Sequence, residues 1–307
     1  MRVPSAENRF RLPFASAAAE QRGTLAETPG GGAAVSEPTK ILRPARPASG
    51  PAADLREALV ESRRFALPAD PRGSPQVEIP SDRKGDWPAR AVLARDGAGV
   101  AEQFRHLAVR VRARLAEDGR RTLAVTSATR SDGKTTVVCN FALAMASIAS
   151  ADRVALLELD LRRPRVADGL RVKPEVGIES VLAGDAPLES ARLRTQFDSL
   201  DLFLARGPAR NALELLSGPD VLSLFEALAS SYRFVVVDTP PVLLVPDSPL
   251  LVPNLDACLF IVRRGRTRLA ALANALDMLP EDKLLGVFIN QIAAPVRSRE
   301  YGYYAKS

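Results

Sequence analysis

A chain of 307 residues that is 46% hydrophobic and 25% charged has the material for a substantial core, while 5% aromatic content offers little for stacking nucleic-acid bases. Its net charge of +6 comes from 42 Lys and Arg against 36 Asp and Glu spread along the chain, so no nucleic-acid partner is expected. One histidine, His106, and two cysteines, Cys139 and Cys258, each inside an apolar run, argue against a zinc site, a Ser/His/Asp triad or a disulfide framework.

From Met1 to Ala98 the sequence is rich in Ala, Pro, Gly and Arg, with pieces such as PGGGAAV and RPARPASGPAA. Such composition buries too little apolar area to offset chain entropy, so residues 1–98 are expected to form a disordered arm. Within it, ADLREALVESRRF at residues 53–65 reads either as a short amphipathic docking helix or as a transient helix in a tether. No apolar stretch approaches the roughly 20 residues of a membrane span, and no signal-peptide core is seen at the N-terminus. A cytoplasmic location follows as the expectation, with any membrane contact made through a partner.

Beyond Val100 short apolar runs alternate with longer amphipathic stretches, the pattern of βαβ units around a parallel sheet. Strands are expected at residues 123–127, 154–159, 202–205, 234–238, 258–262 and 285–290. Helices are expected at 134–148, 177–183, 212–230 with a break at Gly218 and Pro219, and 268–279. The fold class is therefore α/β: a doubly wound, mostly parallel P-loop domain over residues 99–295, followed by a short tyrosine-bearing tail at 296–307.

The strongest local signal is SATRSDGKTT, residues 127–136, set between the strand LAVTS and the helical run VVCNFALAMA. That context lets backbone N–H groups and the positive end of a helix dipole face phosphates. Ser131, Asp132, Gly133, Lys134, Thr135 and Thr136 are the candidate ATP-binding residues. Lys134 is placed to reach the β- and γ-phosphates and Thr135 to bind Mg²⁺. Gly133 is the only glycine of the loop, Ala128 holding the place of the first one in the usual pattern.

Three carboxylates follow. Glu158 and Asp160 close the second strand and, by strand alternation, are expected on one side of it; Asp238 closes the strand FVVVD. In an open α/β sheet that end faces the ligand crevice. A single acid at a strand end is as readily a helix cap or turn former, but three beside a GKT loop point to a site. Asn290, closing GVFIN, is a candidate contact to the adenine base or a satisfied strand-end amide. Asp247 is equally a switch-loop residue or a turn former.

GKTT, LLELDLRRP, VVVDTPP and the terminal tyrosine cluster together resemble the bacterial tyrosine kinase (BY-kinase) family of capsule and exopolysaccharide biosynthesis, within the MinD/ParA-like P-loop superfamily. MinD and ParA-like members carry an additional lysine early in the loop, where this chain has Thr129. The resemblance implies phosphoryl transfer from ATP with Mg²⁺, with Lys134, Glu158 and Asp160 catalytic and Thr135, Asp160 and Asp238 serving the metal. The family's Asp-x-Asp-x-Arg motif places Glu158 at the suspected base position, with Asp160 and Arg162 matching. Tyr301, Tyr303 and Tyr304, three of the four tyrosines, become the phosphoacceptors. Glu102 and Arg105 match a motif associated with ring assembly, whose third basic place is Ala108 here. A membrane polysaccharide co-polymerase is the implied activator, holding the chain at the inner face of the cell membrane. A nucleotide-switch ATPase and a non-catalytic ATP-binding assembly subunit are the alternatives.

Overall fold

The computed structural model describes residues 65–68, 73–82, 87–93, 98–148 and 152–291, all within one compact unit, Ser49–Ser307. The tail tyrosines and most of the expected arm lie outside the described residues.

Seven strands form one sheet: β1 (Thr122–Ser127), β2 (Val154–Glu158), β3 (Arg192–Arg194), β4 (Leu200–Phe203), β5 (Phe234–Asp238), β6 (Ala257–Arg263) and β7 (Leu284–Asn290). Their order is β3-β4-β2-β5-β1-β6-β7, and every pairing is parallel except that of β3 with β4. β1, β2 and β5 are buried at every position, as parallel strands covered on both faces must be, and this explains their unbroken apolar runs. Alternation assigns the two faces: Leu123 and Val125 point into one core and Ala124 into the other.

Helices α1 (Ala98–Glu117), α2 (Lys134–Ile148) and α3 (Val166–Leu170) pack on the first face. On the second lie α4 (Ile178–Ala183), α5 (Ala212–Ser217), α6 (Asp220–Ser231), α7 (Asp247–Leu251) and α8 (Leu269–Leu276). The doubly wound architecture is as expected, and the break at Gly218 and Pro219 separates α5 from α6 because Pro219 cannot continue a helix through its missing N–H.

The boundary of the arm is different from the expectation. Phe65, Ile79, Ala89 and Val92 are buried in the domain's two cores. The N–H of Val77 donates to the Arg194 carbonyl, and the N–H of Arg194 to that of Pro75, so residues 75–77 extend the sheet beyond β3. The Arg90 side chain, fully buried, donates to the carbonyls of Gly169 and Pro80, and Asn140 on α2 accepts from the N–H of Val92. The described residues 73–82 and 87–93 thus form a strap across the first face. A few well-placed apolar residues in an Ala/Pro/Gly/Arg background are invisible to composition.

Candidate active site

The loop between β1 and α2 is shaped by its own side chains. Asp132, almost fully buried, accepts from the Thr129 N–H at 3.0 Å and hydroxyl at 3.2 Å, and from the Thr267 hydroxyl at 2.7 Å. Its carboxylate therefore maintains the loop and is not directed at a phosphate. Gly133 sits at φ +87°, and a Cβ there would fall 2.1 Å from Asn290 Nδ2. Backbone conformation and packing both require glycine. Asn290 Nδ2 donates to the Asp132 carbonyl at 3.0 Å, tying β7 to the loop. Arg263 donates to the Ser131 carbonyl and to Gln291 Oε1, each at 2.8 Å.

Lys134, the first residue of α2, is 6% exposed. Its Nζ lies 2.5 Å from Asp238 Oδ1 and 3.5 Å from Asp160 Oδ2. Thr135 Oγ1 donates to Asp238 Oδ2 at 3.4 Å. Sheet register produces this convergence, since Asp238 pairs with Val125 of β1 on one side and Glu158 of β2 on the other. Burial pulls the Lys134 ammonium down, but Asp238 and Asp160 outweigh it and hold the pKa above the usual lysine range. Burial pushes the Asp238 carboxyl up, against the pull of Lys134, and Asp160 adds to the rise. Lys134, Thr135, Asp160 and Asp238 are thus brought together as expected. Thr136 is half-buried one step further along α2, its carbonyl accepting from Asn140 Nδ2.

Glu158 is elsewhere engaged. Its Oε1 accepts from the N–H groups of Arg165 at 2.6 Å and Val166 at 2.8 Å, and its Oε2 from that of Ala205 at 3.2 Å. It is fully buried, and α3 has no side-chain cap from its own N-cap residue, Arg165. Glu158 supplies that cap from a neighbouring strand and binds the end of the β4 segment to it. Burial, with a smaller push from Asp238, raises its pKa to about 8 against the opposing pull of the three amides. A pKa near neutrality suits a general base, but geometry precedes pKa: both oxygens face backbone amides and none faces solvent. The expectation that Glu158 and Asp160 share one side fails because β2 ends at Glu158, so strand alternation no longer governs Asp160.

Arg162 forms a two-pronged pair with Asp247, Nε to Oδ2 at 2.8 Å and Nη2 to Oδ1 at 3.1 Å. Asp247 is fully buried at the start of α7. Of the two readings of Asp247, neither describes a carboxylate that clamps the loop after β2 onto α7. Thr267 and Arg263 were not legible as site residues, since neither belongs to a local motif and both act through space.

Glu102 and Arg105 stand apart on α1, paired with each other at 3.1 Å, while Ala108 is fully buried on the same helix. The fourth tyrosine, Tyr232, is 1% exposed and donates to Asp201 Oδ2 at 2.7 Å. Burial and the Asp201 charge push its hydroxyl far above the usual range, so it is no substitute acceptor. Tyr301, Tyr303 and Tyr304 lie outside the described residues.

The residues present suit a magnesium nucleotide: a helix N-terminus, a left-handed backbone position at Gly133, a buried lysine and a threonine hydroxyl converging with two carboxylates. Among the described residues no group of three or more His, Cys, Asp or Glu is arranged to hold a metal.

No family model matches the chain. It is 30% identical to the tyrosine-protein kinase YwqD of Bacillus subtilis over 206 residues, covering 66% of this chain and 86% of that protein. It is 29% identical to the succinoglycan biosynthesis transport protein ExoP of Rhizobium meliloti over 208 residues, 66% of this chain but 26% of that longer protein. The kinase domain of the Escherichia coli tyrosine kinase ETK superposes with a TM-score of 0.56 at 26% identity, covering 64% of this chain and 78% of that one. With 30% identity to YwqD over 86% of that protein's length, the chain belongs to the bacterial tyrosine kinase family.

Proposed function

We propose that this chain is an ATP-dependent protein-tyrosine autokinase acting in exopolysaccharide or capsule polymerisation and export, and that Tyr301, Tyr303 and Tyr304 are its acceptors. The observation that carries the reading is the placement of Lys134 Nζ between Asp238 and Asp160 at the first turn of α2. Lys134 exchanges its contact with Asp238 for the β- and γ-phosphates of ATP. Thr135 and Asp238 would hold Mg²⁺, and the ion would supply neutralisation of charge on the transferred phosphoryl group. Asp160, the carboxylate beside Lys134 that retains some exposure, takes the base position in place of Glu158.

An acceptor tyrosine, pKa near 10, gives its proton to Asp160 as its oxygen bonds the γ-phosphorus and the bridge to ADP breaks. Transfer runs between copies assembled through the α1 face that bears Glu102 and Arg105. A membrane co-polymerase serves as activator and holds the chain at the inner face of the membrane; the similarity to ExoP, a succinoglycan biosynthesis transport protein, supports a place in polysaccharide export. The test is mass spectrometry of the tail after incubation with MgATP. Phosphotyrosine at residues 301–304 in the wild type and none in Lys134→Met supports the assignment. ATP hydrolysis without phosphotyrosine replaces it with the nucleotide-switch reading.

A further inference from the structure

The loops that follow β1, β2, β4, β5 and β6, at residues 128–133, 159–165, 204–211, 239–247 and 263–268, hold ten arginines and three carboxylates. Those carboxylates, Asp132, Asp160 and Asp247, are 1%, 9% and 0% exposed, so the outward charge of this rim is positive. Arg130, Arg163, Arg165, Arg206, Arg264 and Arg266 are exposed. Arg165 approaches Asp168 at 3.7 Å, and none of the other five makes an ion pair among the described residues. Sheet order sets these loops in a row from β4 across β2, β5 and β1 to β6. At the usual strand spacing that row is about 19 Å long.

We infer that this arginine rim is a docking surface for the phosphorylated form of the chain's own C-terminal segment. The inference rests on the reading of that segment as the acceptor. Three observations favour this occupant. The C-terminal segment leaves the domain at the rim, since Gln291 is held by Arg263 directly before Arg264 and Arg266. From Gln291 to Tyr301 ten residues reach up to about 33–36 Å, more than the length of the row. And the segment changes sign: residues 292–307 carry Arg297, Arg299 and Lys306 against Glu300, so the rim offers the unmodified tail no charge attraction. Each phosphate adds about −1.5 to −2 charge and oxygens matched to the two-pronged guanidinium. The rim therefore discriminates against acceptor and in favour of product.

Synthetic peptides of residues 292–307, unmodified or phosphorylated at all three tyrosines, are to be titrated with the full chain by fluorescence anisotropy. The phosphopeptide is expected to bind at least about tenfold more tightly, with the preference shrinking as salt rises above about 0.1 M. A variant carrying Arg163→Ser, Arg206→Ser, Arg264→Ser and Arg266→Ser, checked by its unfolding curve, is expected to lose the preference. Equal affinity for both peptides, or a preference that survives in a folded variant, overturns the inference. So does binding confined to phosphatidylcholine vesicles containing about a quarter phosphatidylglycerol, which assigns the rim to a membrane surface. Because the peptide is phosphorylated by synthesis, the two failures are distinguishable. Tail labelling without peptide discrimination overturns the rim alone; discrimination without labelling overturns the acceptor assignment and, with it, the phosphorylated tail as the rim's occupant.

Discussion

Glu158→Ala removes the acceptor of three buried N–H groups, those of Arg165, Val166 and Ala205. At about 1–3 kcal/mol for each unsatisfied buried group, partly relieved by water entering the space, the expected loss of folding stability is about 3–5 kcal/mol. Relative to the ionised carboxylate, Glu158→Gln keeps a carbonyl oxygen for Arg165 and Val166 but turns an amide donor toward the Ala205 N–H, so above about pH 8 one bond is lost and the cost is about 1–2 kcal/mol. The pH dependence gives an independent check. The carboxyl pKa is raised by burial from 4.5 to about 8, so the folded chain binds this proton more tightly than the unfolded one between those values. The stabilisation from Glu158 is complete below pH 4.5 and is lost as pH rises through about 8, and the glutamine variant lacks that slope. Urea unfolding of the three proteins from pH 5 to pH 9, beside tail phosphorylation rates under conditions where each remains folded, measures both effects. If Glu158→Gln unfolds like the wild type with the same pH slope yet abolishes transfer, the capping role assigned to Glu158 is wrong and the residue is the base.

Gly133→Ala places a methyl group against Asn290 at a left-handed backbone position, and ATP affinity measured by calorimetry should fall by more than tenfold; adding Asn290→Ala removes the clash but not the backbone strain, so recovery should be partial. Asp247→Asn retains the volume and loses the charge that clamps Arg162, which should lower the transfer rate more than ATP affinity in steady-state assays. Tyr232→Phe deletes a buried hydroxyl bonded to Asp201 and should cost about 1–2 kcal/mol in denaturant unfolding, while total phosphotyrosine stays unchanged; a drop in label would make Tyr232 an acceptor after all.

The parts of the site that were legible in the sequence are those in which chain proximity and spatial proximity coincide. Strand, loop and helix are consecutive around Lys134, and the helix expected at 134–148 is the one observed. Asp238 was found because parallel strands place their ends at one edge, a rule that holds whatever the side chains do. Glu158 illustrates the limit. Its place at the end of a strand was read from the sequence, but whether a carboxylate there caps a helix or meets a substrate depends on the N–H groups of residues 165, 166 and 205, and the sequence carries no mark of that meeting. β3 was missed because three residues at a sheet edge leave no period to detect. The helices α3 and α7, five residues each, are too short for an apolar stripe and exist through tertiary contacts.

The strap at residues 73–82 and 87–93 also gives the domain a lever. Asn140 accepts the Val92 N–H with its oxygen and donates from Nδ2 to the Thr136 carbonyl, one turn along α2, at 2.9 Å. Arg90 grips Gly169 on α3, the helix whose first amides Glu158 holds. Tension applied to the chain ahead of residue 73 meets the pairing of residues 75–77 with β3 first, and beyond it reaches α3 and the backbone of the phosphate-binding helix through the Arg90 and Asn140 side chains. Such a pull works against hydrogen bonds that break one at a time, so its effect is graded by the load. A polypeptide that holds the preceding segment would thereby set the tension under which the nucleotide site operates.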